Sequence, residues 1–551
     1  MPDRTLGAPG VALPSLAGKA WTVGALVTAL LLVAPIAFVA ASLFQPAGDA
    51  WHHLAATVLP GYAINSLVLV GLVALGTVVV GVTCAWLVAA CEFPGRRAME
   101  WMLLLPLAMP AYVIAYAYTD LLQFAGPVQS FLRETFGWRA GEYWFPDIRT
   151  LPGAAAMFVC VLYPYVYLLA RVAFLEQGAS LAEAGRSLGL TPWQAFRRVS
   201  LPLARPAIAA GAALACMETL ADYGTVSYFG VQTFTTGIFR AWLSMGEPVS
   251  AARLSMLLLA FVAAILAIER LARRRARFHQ AGVARRPHRA RLDGTRAIAA
   301  LAACLAPLVA GFLLPAALLA RLAWQQGDEQ FGARFLSLAA NSLTVASITA
   351  LIAIALAVVM AYGARVSRSP WAQGVNRVAG LGYAIPGAVI AIGVLVPAAR
   401  IDHAVGEWLA DAASGLLITG SLAALVYAYL IRFQAIALQS VESGLARITP
   451  AMEDAARSLG HTPAQALFRV HLPMMRASLL TGALLVFVDV MKELPATFVM
   501  RPFNFDTLAV QAFNLAADER LAEASTASLA IVAVGLVPLV FASRRMVRGE
   551  D

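Results

Sequence analysis

Apolar runs long enough to cross a bilayer alternate along this chain with short polar segments. Crossing about 30 Å of hydrocarbon takes roughly 20 residues as a helix, and a helix satisfies its own backbone polar groups. The runs predict spans near 21–43, 63–91, 100–122, 152–175, 206–229, 251–269, 298–320, 341–364, 376–398, 414–438, 476–499 and 524–543. The fold class is therefore an all-α integral membrane protein with about twelve transmembrane helices. Composition agrees, because 551 residues that are 60% hydrophobic and 13% charged expose more apolar surface than soluble cores can bury. Mean hydropathy is +0.74. No short apolar segment with a cleavage site opens the sequence, so the first run is expected to stay as a span.

The net charge of +10 raises the possibility of nucleic acid, but its placement excludes that reading. Arg4, Lys19, Arg96, Arg97, the arginines from Arg270 to Arg296, then Arg365, Arg368, Arg377, Arg544, Arg545 and Arg548 all fall on one predicted side. By the positive-inside rule that side is cytoplasmic, with both termini on it. The stretch 270–296 is expected to touch anionic lipid headgroups. The cysteines lie inside predicted spans without metal spacing, and His52-His53 lacks a third ligand, so no metal site is expected.

The two halves repeat. Asn65-Ser66-Leu67 recurs as Asn341-Ser342-Leu343, and Arg186-Ser187-Leu188-Gly189 recurs as Arg457-Ser458-Leu459-Gly460. Each half holds an even number of spans, so both copies enter the membrane the same way, as parallel pseudo-twofold halves. Residues 1–269 form the first half, 270–296 a basic cytoplasmic linker and 297–551 the second half.

Two charged segments, 176–205 and 440–475, occupy matching places on the cytoplasmic side. Each predicts a helix, a break at Gly189 or Gly460, and a second helix capped by Thr191-Pro192 or Thr462-Pro463. The second helices carry Trp193, Phe196 and Val199, or Ala464, Leu467 and Val470, at a spacing that puts them on one face. That ridge is expected to fill a groove.

These segments resemble the EAA loops of binding-protein-dependent ABC importer permeases, in both copies. The resemblance implies a type I importer permease fold, with coupling helices docking on two cytoplasmic ATPase subunits. It assigns the acidic and following positions to Glu183 with Ala184 and to Asp454 with Ala455. The bends fall at Gly189 and Gly460, and the exits at Pro202 and Pro473. Neither lysine, Lys19 nor Lys492, ends a nucleotide-binding loop, so ATP and magnesium are expected on the partner ATPases, with no cofactor and no catalysis in this chain.

The fifth predicted span and its twin end in polar sequence. Ionisable residues at membrane depth usually face a bundle interior or water-filled cavity. Glu218 and Asp222, like Asp489 and Glu493, stand four apart and are expected to share a helix face along the translocation pathway. The alternative is pairing with Lys492, Arg240 or Arg501. The stretches 107–122, 217–242 and 491–525 are similar to the ferric-iron branch of these permeases. That similarity implies iron as substrate, a periplasmic or lipid-anchored binding protein as partner, and the bacterial inner membrane as location. Thiamine and 2-aminoethylphosphonate permeases are alternatives, as is an ion-coupled secondary transporter.

Overall fold

The computed structural model describes residues 16–548 apart from 47, 140, 178–188, 190, 275–288, 327–331, 368–369 and 409–416. Eleven described helices are long and apolar enough to cross a membrane, and a twelfth candidate is a broken pair, Arg96–Ala108 and Ala111–Phe136, meeting at 91°. Large apolar side chains stay exposed along these helices, among them Leu30, Leu75 and Leu351. Only a hydrocarbon phase covers such surface at no cost.

The spans differ from the hydropathy reading where proline or a carboxylate interrupts the helix. The predicted third span breaks at Pro110, which has no N–H for the helical ladder and adopts an extended conformation, ψ 143°. Its twin, expected at 376–398, is likewise displaced: the long helix is Gly387–Trp408, starting just after Pro386. The fifth, expected at 206–229, ends at Ala221, and its twin, expected at 476–499, ends at Met491. Both reach further back than hydropathy suggests, because the helices run continuously from the preceding charged loops as Trp193–Ala221 and Pro463–Met491.

Packing groups the chain into two compact units that interleave the repeats. One unit gathers the N-terminal segment up to Pro35, Ala346–Tyr383 and Tyr429–Phe487; the other gathers Ile36–Val345, Ala384–Ala428 and the C-terminal segment from Val488. In the larger unit the Leu59–Ala90, Leu151–Glu176 and Leu201–Ala221 helices pack through small residues. A Cβ added at Gly211 would stand 2.6 Å from the Val166 Cα, and one at Gly81 2.9 Å from the Tyr163 carbonyl oxygen. Glycine at such contacts lets membrane helices approach backbone to backbone, where dispersion rather than hydrophobicity holds them. In the smaller unit Gly482 does the same against Ser440, at 2.7 Å.

Candidate coupling loops and span breaks

Both EAA-type loops turn on a glycine in the left-handed region, with φ +73° at Gly189 and +80° at Gly460. An L-residue there costs roughly 1–2 kcal/mol. In the second loop, the Pro450–Ser458 helix carries Asp454 and Ala455, both exposed, and is closed past Gly460 by the His461 N–H returning to the Ala456 carbonyl at 3.1 Å. The corresponding arm of the first loop, with Glu183 and Ala184, lies outside the described residues.

After each bend the chain restarts with the same reciprocal cap. Thr191 N–H donates to Gln194 Oε1 at 2.9 Å while Gln194 N–H donates to Thr191 Oγ1 at 3.3 Å. Thr462 and Gln465 repeat this at 3.0 and 3.3 Å. One wide π turn follows in each copy, Phe196–Ser200 and Leu467–His471. It leads into Leu201-Pro202 and Leu472-Pro473, so the exit prolines stand inside a continuous rod from loop to span. A proline removes one helical N–H and crowds the carbonyl four residues back, and the wider turn relieves both.

The predicted ridge is split, with Trp193 and Ala464 exposed. Phe196 and Leu467 are buried, at 8% and 2% exposure. Phe196 lies 4.6 Å from the Trp86 ring and 5.4 Å from Trp193, and its groove is made by this chain itself. Among the described residues, the exposed large apolar side chains are Trp193 in the first loop and Met452, Leu459, Phe468 and Met474 in the second. Leu459 and Phe468 fall off the three-residue spacing and were missed for that reason.

At the span breaks the shared helix faces do not form, because each helix ends before its second carboxylate. Asp222, extended at ψ 139°, turns back to accept from the Thr225 and Val226 N–H groups at 2.9 and 3.3 Å and from the Thr225 hydroxyl at 3.1 Å, capping the Gly224–Tyr228 turn. Glu493 does the same for Pro495–Met500, accepting from Ala496 N–H at 2.9 Å, Thr497 N–H at 3.0 Å and the Thr497 hydroxyl. Asp489 pairs with Lys492 at 2.8 Å, and Glu218 is half-buried. The two breaks do meet: a Cβ on Gly224 would stand 2.8 Å from both Leu494 and Tyr112. Tyr223, Phe239, Phe498 and Phe513 cluster beside them, with the Tyr223 and Phe239 rings stacked at 3.8 Å.

Comparison with known proteins adds a partial family match. Residues 77–277 match the model described as binding-protein-dependent transport system inner membrane component. The chain is 25% identical over 86% of its length, and 88% of the relative's, to the Fe(3+)-transport system permease protein FbpB 2 of Haemophilus influenzae. It is 28% identical to the Escherichia coli molybdenum transport system permease protein ModB over 35% of this chain and 84% of that one. To the Escherichia coli sulfate transport system permease protein CysW it is 29% identical, over 37% and 68%. A crystal structure of a bacterial alginate-importing ABC transporter aligns with a TM-score of 0.35 at 18% identity, over 46% of this chain and 94% of that one, too low to support an argument. With its membrane spans and the match over residues 77–277, this chain is similar to the inner membrane components of binding-protein-dependent transport systems, and the similarity to the ferric-iron permease runs through both halves.

Proposed function

We propose that the chain is the fused permease of a ferric-iron importer, forming the pathway between a periplasmic or lipid-anchored binding protein and two cytoplasmic ATPase subunits. The observation that carries the coupling role is mechanical. In both copies a capped turn and a membrane span form one continuous rod after an exposed glycine bend, so force entering at the capped turn reaches a span break near Asp222 or Glu493. Glu183, Ala184, Asp454 and Ala455 then face the ATPases, which bind ATP and magnesium, and both termini are cytoplasmic. Closure of the ATPases shifts the population between outward- and inward-facing states.

Iron is favoured because the ferric-iron permease is similar across both halves, whereas the molybdenum and sulfate permeases align over about a third of the chain. Glu218, Asp222, Asp489 and Glu493 border the pathway in this reading. Asp222 and Glu493 act by shaping the corner, since their oxygens are committed to caps. The test is uptake by vesicles holding the permease, its ATPase and its binding protein. Accumulation of ferric ion supports the reading; accumulation of molybdate, sulfate, thiamine or 2-aminoethylphosphonate in its place refutes it.

A further inference from the structure

The second coupling loop is fastened to one membrane helix at two points, and residues that no motif marks do the fastening. The Ala333–Ser367 helix ends near Arg365, whose guanidinium makes three separate attachments. Its Nε meets Glu453 Oε2 at 3.2 Å, in the Pro450–Ser458 arm that precedes the Gly460 bend. Its Nη1 and Nη2 donate to the Leu445 and Ile448 carbonyls at 2.6 and 2.7 Å, at and just past the end of the Leu422–Ala446 helix. The Leu445 carbonyl also accepts from the Ile448 N–H at 3.0 Å, and carbonyls at a helix end keep room for a further donor, which a planar cation with divergent N–H groups suits.

Three residues earlier, on the same helix face, Tyr362 donates to the Pro463 carbonyl at 2.7 Å, which opens the arm following the bend. The Tyr362 ring is buried at 1% exposure between Trp21 and His471, each 5.2 Å away. At the repeat offset the first half holds Trp86 and Ala89 in these places, and Ala182 opposite Glu453. None of those three can supply an ion pair.

We infer that Tyr362 and Arg365 are positioning residues for energy coupling at the second loop: they clamp the arms on either side of Gly460 to the end of the Ala333–Ser367 helix, so that loop and helix move as one body. The inference rests on the importer reading for its functional half, while the clamp itself is testable on the purified chain. Hydrogen exchange across 450–458 is expected to accelerate at least about tenfold in Arg365→Gln, the loss of one charge-assisted hydrogen bond or more. Tyr362→Phe is expected to accelerate exchange about threefold across 463–471, the loss of one neutral hydrogen bond, and to leave 450–458 nearly unchanged.

Glu453→Gln added to Arg365→Gln is expected to bring little further change, because the two share one interaction. Arg365→Lys keeps the charge and is expected to recover part of the protection. In vesicles with the ATPase and binding protein, Arg365→Gln is expected to raise the ATP hydrolysed per ferric ion moved several-fold, with the permease still assembled. Unchanged exchange at 450–458, exchange accelerated uniformly along the chain, or an unchanged ATP-to-iron ratio overturns the inference. A wild-type chain that engages no ATPase sinks the importer reading instead, and the exchange measurements still decide the clamp.

Discussion

The two coupling loops share a backbone and differ in what holds it. Gly189 and Gly460 bend alike, Thr191 and Thr462 cap alike, and both copies pass through a π turn into Leu-Pro. Beneath the first loop, however, lies an aromatic cluster in which Phe196 meets Trp86, Phe174 and Trp193, with Gln177 donating to the Ser200 carbonyl at 3.0 Å. Beneath the second, the small aliphatic Leu467 sits in that place and the hold is ionic and hydrogen-bonded, through Arg365 and Tyr362. Duplication therefore preserved the parts that set chain direction and left the fastening free to diverge. Ring packing tolerates sliding, whereas three directed hydrogen bonds to one guanidinium fix an orientation.

The difference is broken most severely at Phe196. Phe196→Ala is expected to cost about 3–5 kcal/mol, and Leu467→Ala about 2–5 kcal/mol with a smaller void. Thermal unfolding of the detergent-solubilised chain measures both. A first-loop loss no larger than the second-loop loss would mean the rings do not hold the loop.

The span breaks sharpen the contrast at the far end of the same helices. Glu493 is 5% exposed and receives two backbone N–H groups, so Glu493→Gln turns an amide NH2 towards a donor and costs on the order of 1–3 kcal/mol. Asp222 makes the same cap but is less completely buried than Glu493, so what Asp222→Asn removes is offset more. Its cost is expected to be the smaller, with iron uptake following the same order. Equal losses would place the two corners in equivalent surroundings and remove the asymmetry at this level.

The loops were legible in the sequence because their determinants are local. A glycine, then Thr-Pro-x-Gln, then Leu-Pro reports backbone geometry within a few residues, and the αL bends and capping boxes stand where those residues stand. The ridge of Phe196 and Leu467 was legible as a ridge but not in direction, since periodicity states that residues share a face and not which side the groove is on. The span breaks escaped because hydropathy runs on through Ala221 and Met491, while the carboxylate caps that end those helices need three-dimensional neighbours to be recognised. Arg365 escaped for the same reason at longer range: Glu453 lies 88 residues away, and the arginine reads in the sequence as one more cytoplasmic charge.

The smallest expected effect tests the shared half of the comparison. Thr191→Ala and Thr462→Ala each remove one acceptor for a backbone N–H and leave the glutamine side chain to cap from one side only, at about 1 kcal/mol apiece. Because both caps are exposed and have matching distances, the two costs should agree within a few tenths of a kcal/mol, a spread ordinary for equivalent exposed sites. The Arg365 clamp does not touch Thr462, and the Phe196 cluster does not touch Thr191, so neither brace should enter either number. Local exchange across 191–195 and 463–466 gives the comparison directly. Were Thr462→Ala to loosen its helix several-fold less than Thr191→Ala, the Tyr362 bond to Pro463 would already be holding that turn in the cap's place, and the two loops would differ in their backbones as well as their braces.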